Sequence, residues 1–350
     1  MRTPVITLLV ALAAPLAAVH AEPHTVVSKL AAELRARYVF PERAEQAAQH
    51  LTVANDRGQF ASATAPADLA AAIDTFLRNE LHDQHLRIEY RAPSEEPKPG
   101  GPRKPTAERY RDYERAAAER ENAGVRMAAQ LDGNVGYLRI SGFPDAAVLA
   151  ERLASALGLL HNTTALIIDL RDNHGGNPHG VALLESYFFE PWQPRELNDI
   201  VTRTPQGFET RQFWTMGVPA ALYYDRDVYV LTSSRTISAG EGFAYEMQAA
   251  KRATVVGEVT AGAANPANEV SLGDGFFAAI PFGRALNPET KTNWEGTGVH
   301  PDVTVDAAGA LPHAYVMALR RAAEQQPDRA ARLRQIADAA AADPARILNR

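Results

Sequence analysis

Ser238 stands where an apolar run hands over to helical spacing. Val228-Tyr229-Val230-Leu231 reads as a buried strand, and Phe243, Ala244 and Met247 can share one face of a helix. A hydroxyl at such a junction meets free backbone N–H groups and the positive end of a helix dipole. Those groups suit an oxyanion, as acyl transfer requires. The same residues also spell Ser-x-x-Glu, Ser238 to Glu241, the pattern of a capping box. The serine therefore reads as a nucleophile or as a helix cap.

Three other segments carry groups that could serve it. Leu166–Leu170 is an apolar strand ending in Arg171-Asp172-Asn173-His174-Gly175-Gly176. Paired glycines permit positive φ and close backbone approach, so this turn can aim an N–H of Gly175 or Gly176 into a cleft. It also reads as a plain tight turn held by an Asp169–Arg171 pair. In Leu81-His82-Asp83-Gln84-His85, a histidine could act as general base. His82 and His85 have no carboxylate at ligand-like spacing, so no metal site is expected. Glu295, in Asn293-Trp294-Glu295-Gly296, could orient the histidine as the third member of a triad does, or could be an ordinary turn carboxylate.

The elements that must position these groups fall into an order. Residues 24–90 form an N-terminal helical domain, with Leu30, Leu34, Tyr38, Ala47 and Leu51 on one face and Leu69, Ile73, Phe76 and Leu77 on another. Residues 91–124 form a Pro/Gly-rich linker followed by a charged helix. From 125 to 310, strands at Val135–Ile140, Ala165–Leu170, Val228–Leu231 and Thr254–Gly257 alternate with helices at Ala146–Leu160, Gly180–Phe189 and after Ser238. That alternation implies an α/β domain with a largely parallel sheet. Residues 311–350 read as a C-terminal helical tail.

Met1-Arg2-Thr3-Pro4, an apolar run to Val19 and His20-Ala21 read as a secretory signal cleaved after Ala21. The expected location is periplasmic or secreted, with no membrane span. The chain has no cysteine, which excludes disulfides, thiol nucleophiles and thiolate metal sites. The formal charge of −6 argues against nucleic acid as the main partner.

Taken together and in order, Tyr38-Val39-Phe40-Pro41-Glu42, Asp83-Gln84-His85, Gly133–Leu138, Asp169–Gly176, Ser238-Ala239-Gly240-Glu241, Gly257-Glu258-x-Thr260-x-Gly262 and Gly298-Val299-His300-Pro301-Asp302 resemble the tail-specific, or C-terminal processing, serine peptidases. The likeness runs from about residue 30 to residue 306. It is strongest to the branch with tricorn protease and the interphotoreceptor retinoid-binding protein modules. The processing branch places a catalytic lysine where this chain has Ala263, and Lys251 is too remote to replace it. The interval from His85 to Gly133 is also too short for the PDZ domain usual there. The resemblance implies a crotonase-like ββα-spiral core and a peptidase with Ser238 as nucleophile, His85 as general base and Glu295 as orienting carboxylate. Ala239 and Gly175 or Gly176 would form the oxyanion hole. Gln84 replaces a serine that assists the charge relay in tricorn protease. No cofactor is implied, and the partner is a peptide or protein substrate. Two rivals remain: a non-catalytic hydrophobic-ligand carrier of the retinoid-binding type, and an esterase or amidase for small substrates.

Overall fold

The computed structural model describes residues 23–92, 115–116 and 119–348. The expected signal segment and most of the expected linker and charged helix lie outside the described residues.

A six-stranded sheet organises the larger part of the chain. Its order is β12 (Val303–Thr304), β8 (Thr254–Gly257), β7 (Asp227–Thr232), β4 (Ala165–Asp169), β3 (Val135–Ile140) and β2 (Val125–Leu131). All neighbours are parallel except β2 and β3. Parallel strands covered on both faces read as continuous apolar runs, as β4 and β7 do. Alternation then sorts their side chains. Leu166, Ile168, Val228 and Val230 pack against α4 (Ala146–Leu160), α5 (Pro178–Glu185) and α6 (Ala239–Ala249). Ala165, Ile167, Tyr229 and Leu231 pack against α7 (Ala307–Gln325) and α8 (Ala330–Ala342). The C-terminal helices are therefore the second layer of the core sheet, and α7 begins at Ala307, four residues ahead of the expected tail. The small-residue face Ala310, Ala314, Ala318 and Ala322 lets that helix lie close to the strands.

The N-terminal helices α1 (Pro23–Arg37), α2 (Pro41–Asp56) and α3 (Pro66–Leu81) have a different partner. They share a core with β1 (Arg87–Tyr90), β9 (Ala267–Gly273) and β10 (Phe276–Pro281), a three-stranded antiparallel sheet of order β1-β10-β9. Strands far along the chain thus complete the N-terminal unit. Leu30, Leu34, Leu51, Leu69 and Ile73 are fully buried there, each contributing roughly 1.5–3 kcal/mol by leaving water. Because β1 pairs with β10, the loop from His82 to Leu86 is tied to the segment that leads out of the central domain.

A third sheet, β11 (Gly283–Leu286), β5 (Glu196–Thr204) and β6 (Gly207–Trp214), fills a stretch where the sequence pattern predicts no element. Only Phe213 of β6 is buried, so the strand carries no apolar alternation to read.

Candidate active site

Ser238 caps α6 with φ 58° and ψ −123°, a conformation that L-residues rarely adopt. Such strain costs on the order of 1–3 kcal/mol and persists only where neighbours impose it. Gly175 packs directly against this residue: a Cβ on the glycine would lie 2.7 Å from Ser238 Cβ. Glu241 supports the turn from beneath. It is fully buried, and its carboxylate accepts from Ser238 N (2.8 Å), Thr260 Oγ1 (2.5 Å), Gly262 N (2.6 Å) and Ala263 N (2.9 Å). Burial pushes the Glu241 carboxyl up, and these hydrogen bonds hold it back down. The capping box is present, and Ser238 Oγ also lies 3.1 Å from His85 Nε2. Cap and nucleophile are compatible readings of one serine.

His85 reaches the serine from the other unit. His82 ends α3 in the left-handed region (φ 50°), turning the chain sharply into the loop. His82 opens onto a different cavity from His85, so the two histidines do not converge. Asp83 organises the loop: Oδ1 accepts from His85 N (3.1 Å), while Oδ2 accepts from Tyr38 Oη (3.1 Å) and Asn265 Nδ2 (2.9 Å). Burial lowers the His85 pKa; the Asp83 charge opposes this and Arg87 adds to it. A lowered value keeps the imidazole neutral near pH 7, the form that can accept a proton.

Glu295 is brought to the same loop but not to the imidazole. Oε1 accepts from Gln84 N (3.2 Å), and Oε2 accepts from Ala264 N (2.6 Å) and Asn265 N (3.0 Å). The hydrogen bond that a triad predicts, from a His85 ring N–H to the Glu295 carboxylate, is absent, and this backbone clip stands in its place. The physical reason is placement: the N–H groups of Gln84, Ala264 and Asn265 hold the carboxylate on the backbone, and His85 Nδ1 is left buried without a partner among the described residues. Burial and the nearby Asp83 charge push the Glu295 pKa up to about 7, against the three backbone hydrogen bonds.

The oxyanion candidates separate in the structure. Gly175 N donates to Asn173 Oδ1 (2.9 Å), so that N–H is already engaged. The N–H groups of Gly176 and Ala239 have no hydrogen-bond acceptor among the described residues. Both residues line the pocket that contains Ser238 and His85. Asn173 is fully buried and also donates to Ile140 O (3.1 Å), fixing the glycine turn to β3. The expected Asp169–Arg171 pair forms (2.6 Å). Ala263, at the position of the processing-branch lysine, is buried in the pocket wall. Lys251 sits exposed beyond the far end of α6 and lines another cavity.

Sequence reading assigned no role to Asp83, Asn173 or Asn265. Asp-x-His was a usable signal for the first, since a carboxylate two residues ahead can accept from the histidine N–H. Asn173 and Asn265 act through contacts distant in sequence and carry no local signature.

Comparison with known proteins bears on the family and the fold. Residues 134–305 match the model of peptidase family S41, and residues 9–119 match that of the N-terminal domain of this peptidase family in eukaryotic interphotoreceptor retinoid-binding protein. The carboxyl-terminal-processing protease of Synechocystis sp. is 33% identical over 189 residues, covering 51% of this chain and 41% of that protein. The chain thus spans about two fifths of the length of that curated relative. Mature CPAF has a similar fold, with a TM-score of 0.54 and 14% identity over 82% of this chain and 94% of that one. Tricorn protease is similar too, with a TM-score of 0.50 and 14% identity over 81% of this chain and 34% of that one.

Proposed function

The chain belongs to peptidase family S41, and on that premise we propose that it is a serine peptidase using Ser238 as nucleophile and His85 as general base. The observation that carries this reading is the 3.1 Å contact between His85 Nε2 and Ser238 Oγ, on a strained helix N-cap beside two free N–H groups. Ser238 Oγ attacks the peptide carbonyl while His85 takes its proton. The oxyanion is received by the N–H of Ala239, at the α6 N-terminus, and by that of Gly176, in the turn between β4 and α5. His85 then protonates the departing amine, and water hydrolyses the acyl-enzyme by the same route. Glu295 is a positioning residue in this scheme: through Gln84 N it holds the loop that presents the imidazole, and its charge favours the imidazolium.

A lysine base is disfavoured by Ala263, whose methyl group occupies that position. The substrate is a peptide or protein chain, and the site of action is the periplasm or the exterior, in keeping with the signal-like N-terminus. No helix among the described residues is long and apolar enough to cross a membrane. The divisions at 24–90, 125–310 and 311–350 are retained as sequence units, although β9 and β10 serve the N-terminal core. Hydrolysis of fluorogenic peptides tests the reading. Wild type should turn over, and Ser238→Ala and His85→Ala should both lose turnover; peptide hydrolysis undiminished in either variant would refute it. A folded wild type that binds an apolar ligand but never hydrolyses would return the carrier reading.

A further inference from the structure

The pocket below Ser238 ends on carboxyl groups that acyl transfer does not use. Ser238, Gly242 and Glu246 follow one another at intervals of four along α6, so they share a helix face, and all three line the pocket. At 1.5 Å rise per residue, the Glu246 backbone lies about 12 Å below Ser238, and its side chain leans back toward the nucleophile. A Cβ on Gly242 would stand 3.7 Å from Glu246 Oε1 and 3.2 Å from the Trp294 ring, so the glycine keeps the shaft open. Glu185, closing α5, meets Glu246 across the floor.

Both acids are deeply buried, at 0% and 5% exposure for Glu185 and Glu246. Neither Glu185 oxygen has a hydrogen-bond donor among the described residues, and the same is true of Asn198 Oδ1, which lines the same pocket from β5. Beyond a proton shared by the two acids, the floor offers more acceptors than donors, while Ala182, Leu197, Ala264 and Ala285 give apolar walls. The nearby cation Arg195 is half-exposed and paired with Glu289. Burial raises both carboxyl pKa values, Glu246 to about 8; the Glu246 charge raises Glu185 further, whereas the hydrogen bond with Glu185 lowers Glu246. The pair thus keeps a proton that a buried cation would displace to solvent.

We propose that this shaft receives the side chain of the substrate residue whose carbonyl is attacked, and that it selects a cation, lysine or arginine, whose N–H donors fill the acceptors of Glu185, Glu246 and Asn198. The long stems of these residues match the apolar shaft, and their charged ends reach the floor. This selectivity rests on Ser238 being the nucleophile.

Competition at Ser238 tests it without requiring a known substrate. The peptide aldehydes acetyl-Ala-Ala-lysinal, -leucinal and -glutaminal are each titrated against labelling by a small fluorophosphonate. Lysinal should protect at concentrations at least about 10-fold lower than the other two. Within each of Glu185→Gln and Glu246→Gln, the lysinal-to-leucinal ratio should fall several-fold, and in the double variant it should approach one. Equal or better protection by leucinal or glutaminal in wild type would overturn the proposal, as would a lysinal preference that survives the double substitution. If the fluorophosphonate fails to label wild type, it is the nucleophile reading that fails, and the selectivity falls with it.

Discussion

At the residue scale, Ser238 and His85 are the groups proposed to touch the reacting atoms, and Asp83 and Glu295 the groups that place them. Ser238→Ala removes the bond-forming atom and should cut turnover by about 10³-fold or more, while costing only about 1 kcal/mol as a weakened cap. Rates of peptide hydrolysis and urea unfolding curves check both halves. His85 must be neutral to act, and burial lowers its pKa from 6.5. Activity should therefore climb with pH in a first step whose midpoint lies below that of a free imidazole. Glu295, raised to about 7, ionises after it and should add a second rise, because its charge stabilises the imidazolium. Glu295→Gln should abolish that second rise, leave the first, and lower kcat by roughly 10–100-fold with little change in KM. A purely structural Glu295 would leave the shape of the pH profile intact.

At the scale of elements, two turns pressed together make the site. Gly175 has φ +87° and lies against the Ser238 side chain, so Gly175→Ala adds both strain and a clash. It should destabilise the protein by about 1–3 kcal/mol or more and reduce turnover by at least about 100-fold, measured by urea unfolding and hydrolysis of fluorogenic peptides. Much of this level is legible in the sequence. The β4 and β7 runs, the glycine pair and the Ser-x-x-Glu junction are local patterns, and each lies where its pattern predicts. Asp-x-His brings a histidine to Ser238. What local pattern could not convey is partnership across the chain. The pairing of β1 with β10 depends on side chains about 190 positions apart. The hairpin β5–β6 is solvated on most of its length and shows no alternation. The sequence pattern sets Glu295 on the His85 ring; its acceptor role toward Gln84, Ala264 and Asn265 instead depends on three backbone N–H groups that no side-chain motif encodes.

At the scale of the whole molecule, the helical N-terminal unit carries the proposed base, His85, and the α/β unit the proposed nucleophile, Ser238. Under that proposal catalysis depends on the packing of the two through Asp83, Asn265 and Glu295. Buried carboxyls also give the molecule a pH signature. Glu241, Glu185 and Glu246 all have pKa values raised by burial. The folded state then binds more protons than the unfolded one between about 4.5 and 8, so stability falls as pH rises through that window. For Glu246 the favourable contribution is complete below about 4.5 and is lost as pH passes about 8. Urea midpoints should decline from pH 6 to pH 8.5, and Glu246→Gln should flatten the decline; a slope unchanged by that substitution would show that Glu246 keeps its charge in the folded state.

The central claim is that His85 activates Ser238 for covalent attack. The most direct measurement is the rate and position of fluorophosphonate adduct formation, read by mass spectrometry across pH. The account predicts one adduct, on Ser238, absent in Ser238→Ala. It also predicts labelling that rises with the deprotonation of His85 and slows by about 100-fold or more in His85→Ala. An adduct on another residue, or Ser238 labelling that is indifferent to His85, would contradict it.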